Sequence, residues 1–197
     1  LTFASLASGS RDINFDVNRV EGYRNFCNKL WNASRFIKLQ CKGYKKSKKF
    51  SDDPIDKWIR SEFNKSLESY VDHIDNSRFD LATQVLYEFI WEKLCDWYIE
   101  FCKIRLNDQS ISNAEKAQIK NSLLDIFEKT LKLAHPMMPF ITEEIWQSFK
   151  ETFKAKENSI MISQLPTRYL GTSNLKNIES LKSVISGIRN IRSEMLI

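Results

Sequence analysis

Apolar residues recur at steps of three and four along most of this chain, the spacing that puts side chains on one side of an α-helix. The first such line passes through Tyr23, Phe26, Cys27, Leu30, Ser34 and Ile37 and predicts a helix from about Val17 to Leu39. Asp53-Pro54 supplies an N-cap followed by proline at the first helical position. It opens a second helix lined by Trp58, Ile59, Phe63, Leu67, Tyr70, Val71 and Ile74. A third, from about Arg78 to Ile104, turns Phe79, Ala82, Leu86, Phe89, Ile90, Leu94, Trp97 and Phe101 inward and reads as the centre of a bundle.

Ser112 and Asn113 are cap candidates for a fourth helix carrying Ile119, Leu123, Ile126, Phe127 and Leu133. The prolines of His135-Pro136-Met137-Met138-Pro139 must break it, since each removes a backbone donor and restricts its predecessor. Thr142 is the expected cap of a fifth helix, with Glu143 and Glu144 in its first turn. Over 155–174 the period lapses, and Ile160 and Ile162 alternate with polar neighbours as a short extended piece would. The period returns at Ile178, Leu181, Ile185 and Ile188 and runs to Met195 and Ile197 without a stop signal, as in a helix that has been cut. The expectation is an all-α fold: a helical bundle over 1–154, an irregular connector over 155–174 and the start of a helical arm over 175–197.

Composition agrees with that reading. Five glycines and four prolines in 197 residues leave little for the tight turns of an all-β fold. No apolar run approaches the roughly 20 residues that span a bilayer, and the first residues, LTFASLASGSRD, lack the basic start of a secretory signal. The expectation is a cytoplasmic protein with no membrane contact. Cys27, Cys41, Cys95 and Cys102 are scattered and only two histidines exist, so no metal site is expected, and Cys27, Cys95 and Cys102, set among apolar residues, read as small buried thiols.

Charge changes the picture. The net charge is only +5, but residues 22–50 hold nine basic side chains and no Asp or Glu, leaving the rest of the chain with 21 basic against 25 acidic. A positive field confined to one segment is the footprint of a polyanion site. On the polar side of the first helix stand Arg24, Asn28, Asn32 and Arg35, with Trp31 only about 20° from Arg24 in projection. Guanidinium groups grip phosphates and base edges with two donors, amides both donate and accept, and an indole can stack on a base. That combination suits unpaired RNA; the alternative for Asn28 and Asn32 is that they tie the helix to a neighbour. Tyr44 and Lys42, Lys45, Lys46, Lys48 and Lys49 follow in a loop that could be merely solubilising, but such loops ordinarily hold both signs of charge, so polyanion contact is the expectation. No glycine-rich phosphate loop, Gly-x-Ser-x-Gly or His-Glu-x-x-His occurs, and no catalytic residue is assigned. His73 reads as a surface residue and His135 as part of the bend.

Four stretches, GSRDINFD (9–16), EGYRNFCNKLWNASRF (21–36), LYEFIWEKLCDWYIEFCK (86–103) and LAHPMMPFITEEIW (133–146), together resemble the bacterial valyl-tRNA synthetases, within the class I synthetases that carry a helical anticodon-binding domain. The resemblance covers nearly the whole chain in the expected order. It implies a parent enzyme that activates valine with ATP and transfers it to tRNA, in one chain with catalytic and editing domains. Neither the His-x-Gly-His signature nor the Lys-Met-Ser-Lys-Ser loop of that family is in this sequence, so the chain reads as an excised, monomeric anticodon-binding domain that needs no cofactor of its own. The resemblance places Arg24 and Arg35 at base edges or phosphate, Asn28 as a supporting hydrogen-bonder, Tyr44 as a stacking ring, and Lys45, Lys46, Lys48 and Lys49 on the RNA backbone. The other readings are the same domain of an isoleucyl- or leucyl-tRNA synthetase, or a helical module whose basic side meets an acidic protein.

Overall fold

The computed structural model describes residues 1–7, 17–47, 49–171 and 176–195, without the side chains of Arg19 and Lys176. The GSRDINFD stretch and Lys48 lie outside the described residues. Among those described, the order is α1 (Thr2–Leu6), α2 (Val17–Gln40), α3 (Pro54–Asp75), α4 (Phe79–Glu88), a π-helical segment (Phe89–Tyr98), α5 (Ile99–Asn107), α6 (Asn113–Ala134), α7 (Pro139–Phe153), a 3₁₀ turn (Ile160–Ile162) and α8 (Lys176–Glu194), with no strand. The fold is the all-α bundle that the pattern predicts.

Local chemistry explains the boundaries. The Asp53 carboxylate accepts the Ile55 N–H at 2.8 Å with Pro54 beside it, and α3 starts there. Ser112 and Glu115 form a reciprocal capping box at the start of α6. α7 begins at Pro139, three residues before the expected cap. Thr142 instead lies inside it, fully buried, its hydroxyl donating to the Met138 carbonyl at 2.7 Å and facing His135 Nδ1 at 2.8 Å. His135 therefore serves the bend.

α4, the π segment and α5 form one rod, and its inward line departs from the uniform helical one. Ala82, Leu86, Ile90, Leu94, Tyr98, Cys102 and Leu106 recur every four residues and all are buried. In an α-helix each step of four overshoots a turn by about 40°, which would carry the line off the core. The wider π turn rotates it back. Consequently Tyr98 and Cys102 face inward and Trp97 is only half-buried; Phe79, at the start of α4 and ahead of the π turn, is exposed rather than inward. A stack of Phe26, Tyr87 and Trp91, with centroids 5.0 Å and 5.5 Å apart along it, joins α2 to this rod.

The most deeply buried helix is α6 over 119–134, not the aromatic rod. Besides Leu123, Leu124, Phe127 and Leu131 it buries Asn121, Ser122, Asp125, Glu128 and Thr130. The connector is irregular as expected, except that Ile160 and Ile162 lie in the 3₁₀ turn rather than an extended piece. Ile160 is buried and Ile162 exposed. Glu143 holds that turn, accepting the Ser159 hydroxyl at 2.7 Å and the Ile160 N–H at 3.2 Å. α8 meets the bundle through Ile178, through a Trp58 Nε1–H donated to Glu179 at 2.8 Å, and through Lys182, whose ammonium lies 4.9 Å from the Trp58 ring centre. Leu181, Val184, Ile188 and Ile191 of the same helix are exposed.

Candidate nucleic-acid interface

α2 buries Phe26, Leu30, Ala33 and Ile37 and so must present the opposite side outward. There stand Arg24, Asn28, Trp31, Asn32, Arg35, Lys38 and Leu39, all exposed, with the Trp31 side chain 40 % accessible. Arg24, Asn28 and Arg35, singled out from the sequence, thus share one solvent-facing line. Arg24 makes an ion pair with Glu21 at 2.8 Å, both side chains well exposed, an interaction that water and salt largely screen. Among the described residues Arg35, Lys38, Lys42, Lys45 and Lys49 make no ion pair. Lys29, in contrast, is drawn inward: its ammonium lies 2.5 Å from Asp96 and 3.7 Å from the centre of the Trp91 ring.

The lysine loop that follows is built into the bundle. Gly43, at φ +72°, takes the left-handed conformation that turns the chain out of α2. The Tyr44 hydroxyl then donates to the Ala117 carbonyl at 3.0 Å, the Lys46 N–H to the Thr152 carbonyl at 2.9 Å and the Ser51 N–H to Ser122 Oγ at 3.0 Å. Asn121 bonds the loop twice, accepting the Ser47 N–H at 2.6 Å and donating to the Lys49 carbonyl at 2.8 Å. Two of the expected RNA contacts accordingly sit elsewhere than a free loop would place them. Tyr44 is half-buried with its hydroxyl engaged. Lys46 points between Asp125 and Glu128, at 2.6 and 2.7 Å. Burial opposes the charge on Lys46, but those two carboxylates outweigh it and raise its pKa. Lys45 and Lys49 remain exposed.

Asn121, Ser122, Asp125 and Glu128 are partners of the lysine loop that sequence reading missed. Their one signal was polarity at steps of three and four on a helix that carries other polar residues as well, which does not tell what they contact.

Burial pushes the Cys41 and Cys95 thiols up to about 12 and that of Cys102 higher still. Among the described residues no group of three or more His, Cys, Asp or Glu could hold a metal ion, and no helix is long and apolar enough to cross a membrane.

Residues 56–197 match the family described as the anticodon-binding domain of tRNA ligase. The chain belongs to that family. Over 98 % of its length, α2 and the lysine loop included, it is also similar to the valine–tRNA ligases of Psychrobacter arcticus (42 % identical), Francisella tularensis (45 %) and Buchnera aphidicola from Schizaphis graminum (44 %). In each case the match covers 21 % of the relative, so this anticodon-binding domain spans about a fifth of the length of the curated relatives it matches.

Proposed function

We propose that this chain is the anticodon-binding part of a valine–tRNA ligase and that the outer side of α2 receives the anticodon stem-loop of the valine tRNA. Activation of valine with ATP and its transfer would belong to catalytic and editing domains beyond these residues, in a cytoplasmic, monomeric enzyme. The observation that carries the reading is the exposed line Arg24, Asn28, Asn32 and Arg35, flanked at its Arg24 end by the solvent-exposed Glu21 and carried on a helix that is fixed in the core. Phosphates approaching that line meet guanidinium groups that bind them bidentately. Asn28 and Asn32 offer a donor and an acceptor each to an unpaired base edge, and the half-open indole of Trp31 offers a stacking plane. Lys42, Lys45 and Lys49 add charge on the RNA backbone, and Lys48 belongs to the same run. The valine–tRNA ligase relatives favour this reading over an isoleucyl or leucyl relative and over a protein-binding helical module.

The test is binding of labelled anticodon stem-loops, followed by fluorescence anisotropy across a salt series. The valine stem-loop should bind best, and log affinity should fall with log salt by about 0.7 for each phosphate contact. The double variant R24A/R35A should lose about tenfold or more in affinity at low salt, the loss expected of two charge-assisted contacts. Parent and variant binding alike would overturn the assignment. A preference for the isoleucine or leucine stem-loop would overturn the valyl reading alone.

A further inference from the structure

The lysine loop and α6 are joined by a contact that nothing in the local sequence of either dictates. The side chain of Asn121 is a primary amide, chemically a peptide group without a chain. It is used as one, its oxygen taking the Ser47 N–H at 2.6 Å and its nitrogen giving to the Lys49 carbonyl at 2.8 Å. Asn121 is fully buried, while Ser47 and Lys49 are exposed. The backbone of the lysine segment is therefore clipped to the bundle as a strand edge would be, and the Lys45, Ser47 and Lys49 side chains stand outward. Lys46 supplies the counterpart from the loop, inserted between Asp125 and Glu128 one and two turns further along α6.

We infer that Asn121 is a positioning residue for RNA recognition: it presents Lys45 and Lys49 to the phosphate backbone in a pre-ordered segment, although it touches no RNA itself. This rests on the proposed anticodon function. The physical reason is entropy. A free lysine-rich loop must give up backbone freedom at each residue it orders on binding, whereas a loop already clipped has given it up in folding. Asn121→Ala keeps every charge on the loop and removes only the clip. It should speed hydrogen exchange of the Ser47 amide at least tenfold and weaken stem-loop binding several-fold, with the salt dependence scarcely changed.

A cycle with K45A/K49A separates positioning from general structure. Those two substitutions should lower affinity and reduce the salt slope by up to about 0.7 for each lost contact. In that background Asn121→Ala should cost little further affinity. Should it cost as much as in the parent, Asn121 acts through the fold as a whole and the inference is overturned. It is also overturned if K45A/K49A changes neither affinity nor slope, an outcome that leaves the α2 line standing as the interface. Failure of the parent chain to bind any stem-loop at low salt overturns the function itself and the inference with it. Asn121→Leu, uncharged and close to the asparagine in volume, carries the same cycle if the alanine variant does not fold, as judged by circular dichroism.

Discussion

Replacing Arg105 by methionine would expose how the far end of the lysine loop is anchored. Asp56, in the first turn of α3, is completely buried. Its carboxylate receives the Tyr98 hydroxyl at 2.5 Å and faces the Arg105 guanidinium at 2.8 Å. The same guanidinium donates to Ser51 Oγ at 3.3 Å and lies 3.6 Å from Asp53, so one charge on α5 binds the start of α3 and the last residues of the loop. Burial disfavours the charge on Arg105, yet Asp56 and Asp53 more than offset it.

Methionine keeps most of the apolar stem and deletes the charge, leaving Asp56 buried with a phenol for its only strong partner. Removing one member of a buried ion pair costs about 3–5 kcal/mol, and with the Arg105 side chain only 13 % exposed little water can enter to reduce that figure. At about 2–4 °C per kcal/mol for a chain of this size, the melting temperature should fall by roughly 10 °C. Urea unfolding followed by tryptophan fluorescence measures the loss. Adding Asp56→Asn to the methionine variant should restore about half of the lost stability or more, because a neutral amide needs no counter-charge. A loss under about 1 kcal/mol, or no recovery on adding Asp56→Asn, would refute the argument that this pair is a coupled buried charge system.

Tyr44→Phe should cost about 0.5–1.5 kcal/mol of stability, the worth of its bond to Ala117, and leave stem-loop affinity within about twofold. A large affinity loss at unchanged stability would put that phenol on the RNA instead. Acid should loosen the connector. Burial raises the pKa of Glu143, but the bonds it receives from Gln147, Ser159 and the Ile160 N–H outweigh burial and hold it below the ordinary value. Because the folded value is the lower one, the stabilisation is complete above the unfolded carboxylate pKa of about 4.3 and is lost as pH falls through the folded value. Hydrogen exchange should accordingly show the Ile160 amide protected near neutrality and exposed in acid, whereas Glu143→Gln should flatten that dependence. An unchanged profile in the glutamine variant would assign the acid effect elsewhere.

Element type was legible because helical period and capping are local. The stripe of α2, the Asp53-Pro54 start and the Ser112 capping box each depend on residues within a turn or two, so the bundle and the exposed line of Arg24, Asn28 and Arg35 follow from spacing alone. Confinement of positive charge to 22–50 is likewise a property of the sequence. What spacing could not supply was any contact between residues far apart in the chain. The π segment follows from packing along the whole rod, which made Tyr98 and Cys102 face the core in place of Trp97. Lys46 and Lys49 are indistinguishable on paper. Tertiary structure alone decided that one is half-buried between Asp125 and Glu128 while the other remains in water, because an ion pair joining residue 46 to residues 125 and 128 is made by how the helices stack and by nothing in the residues beside it.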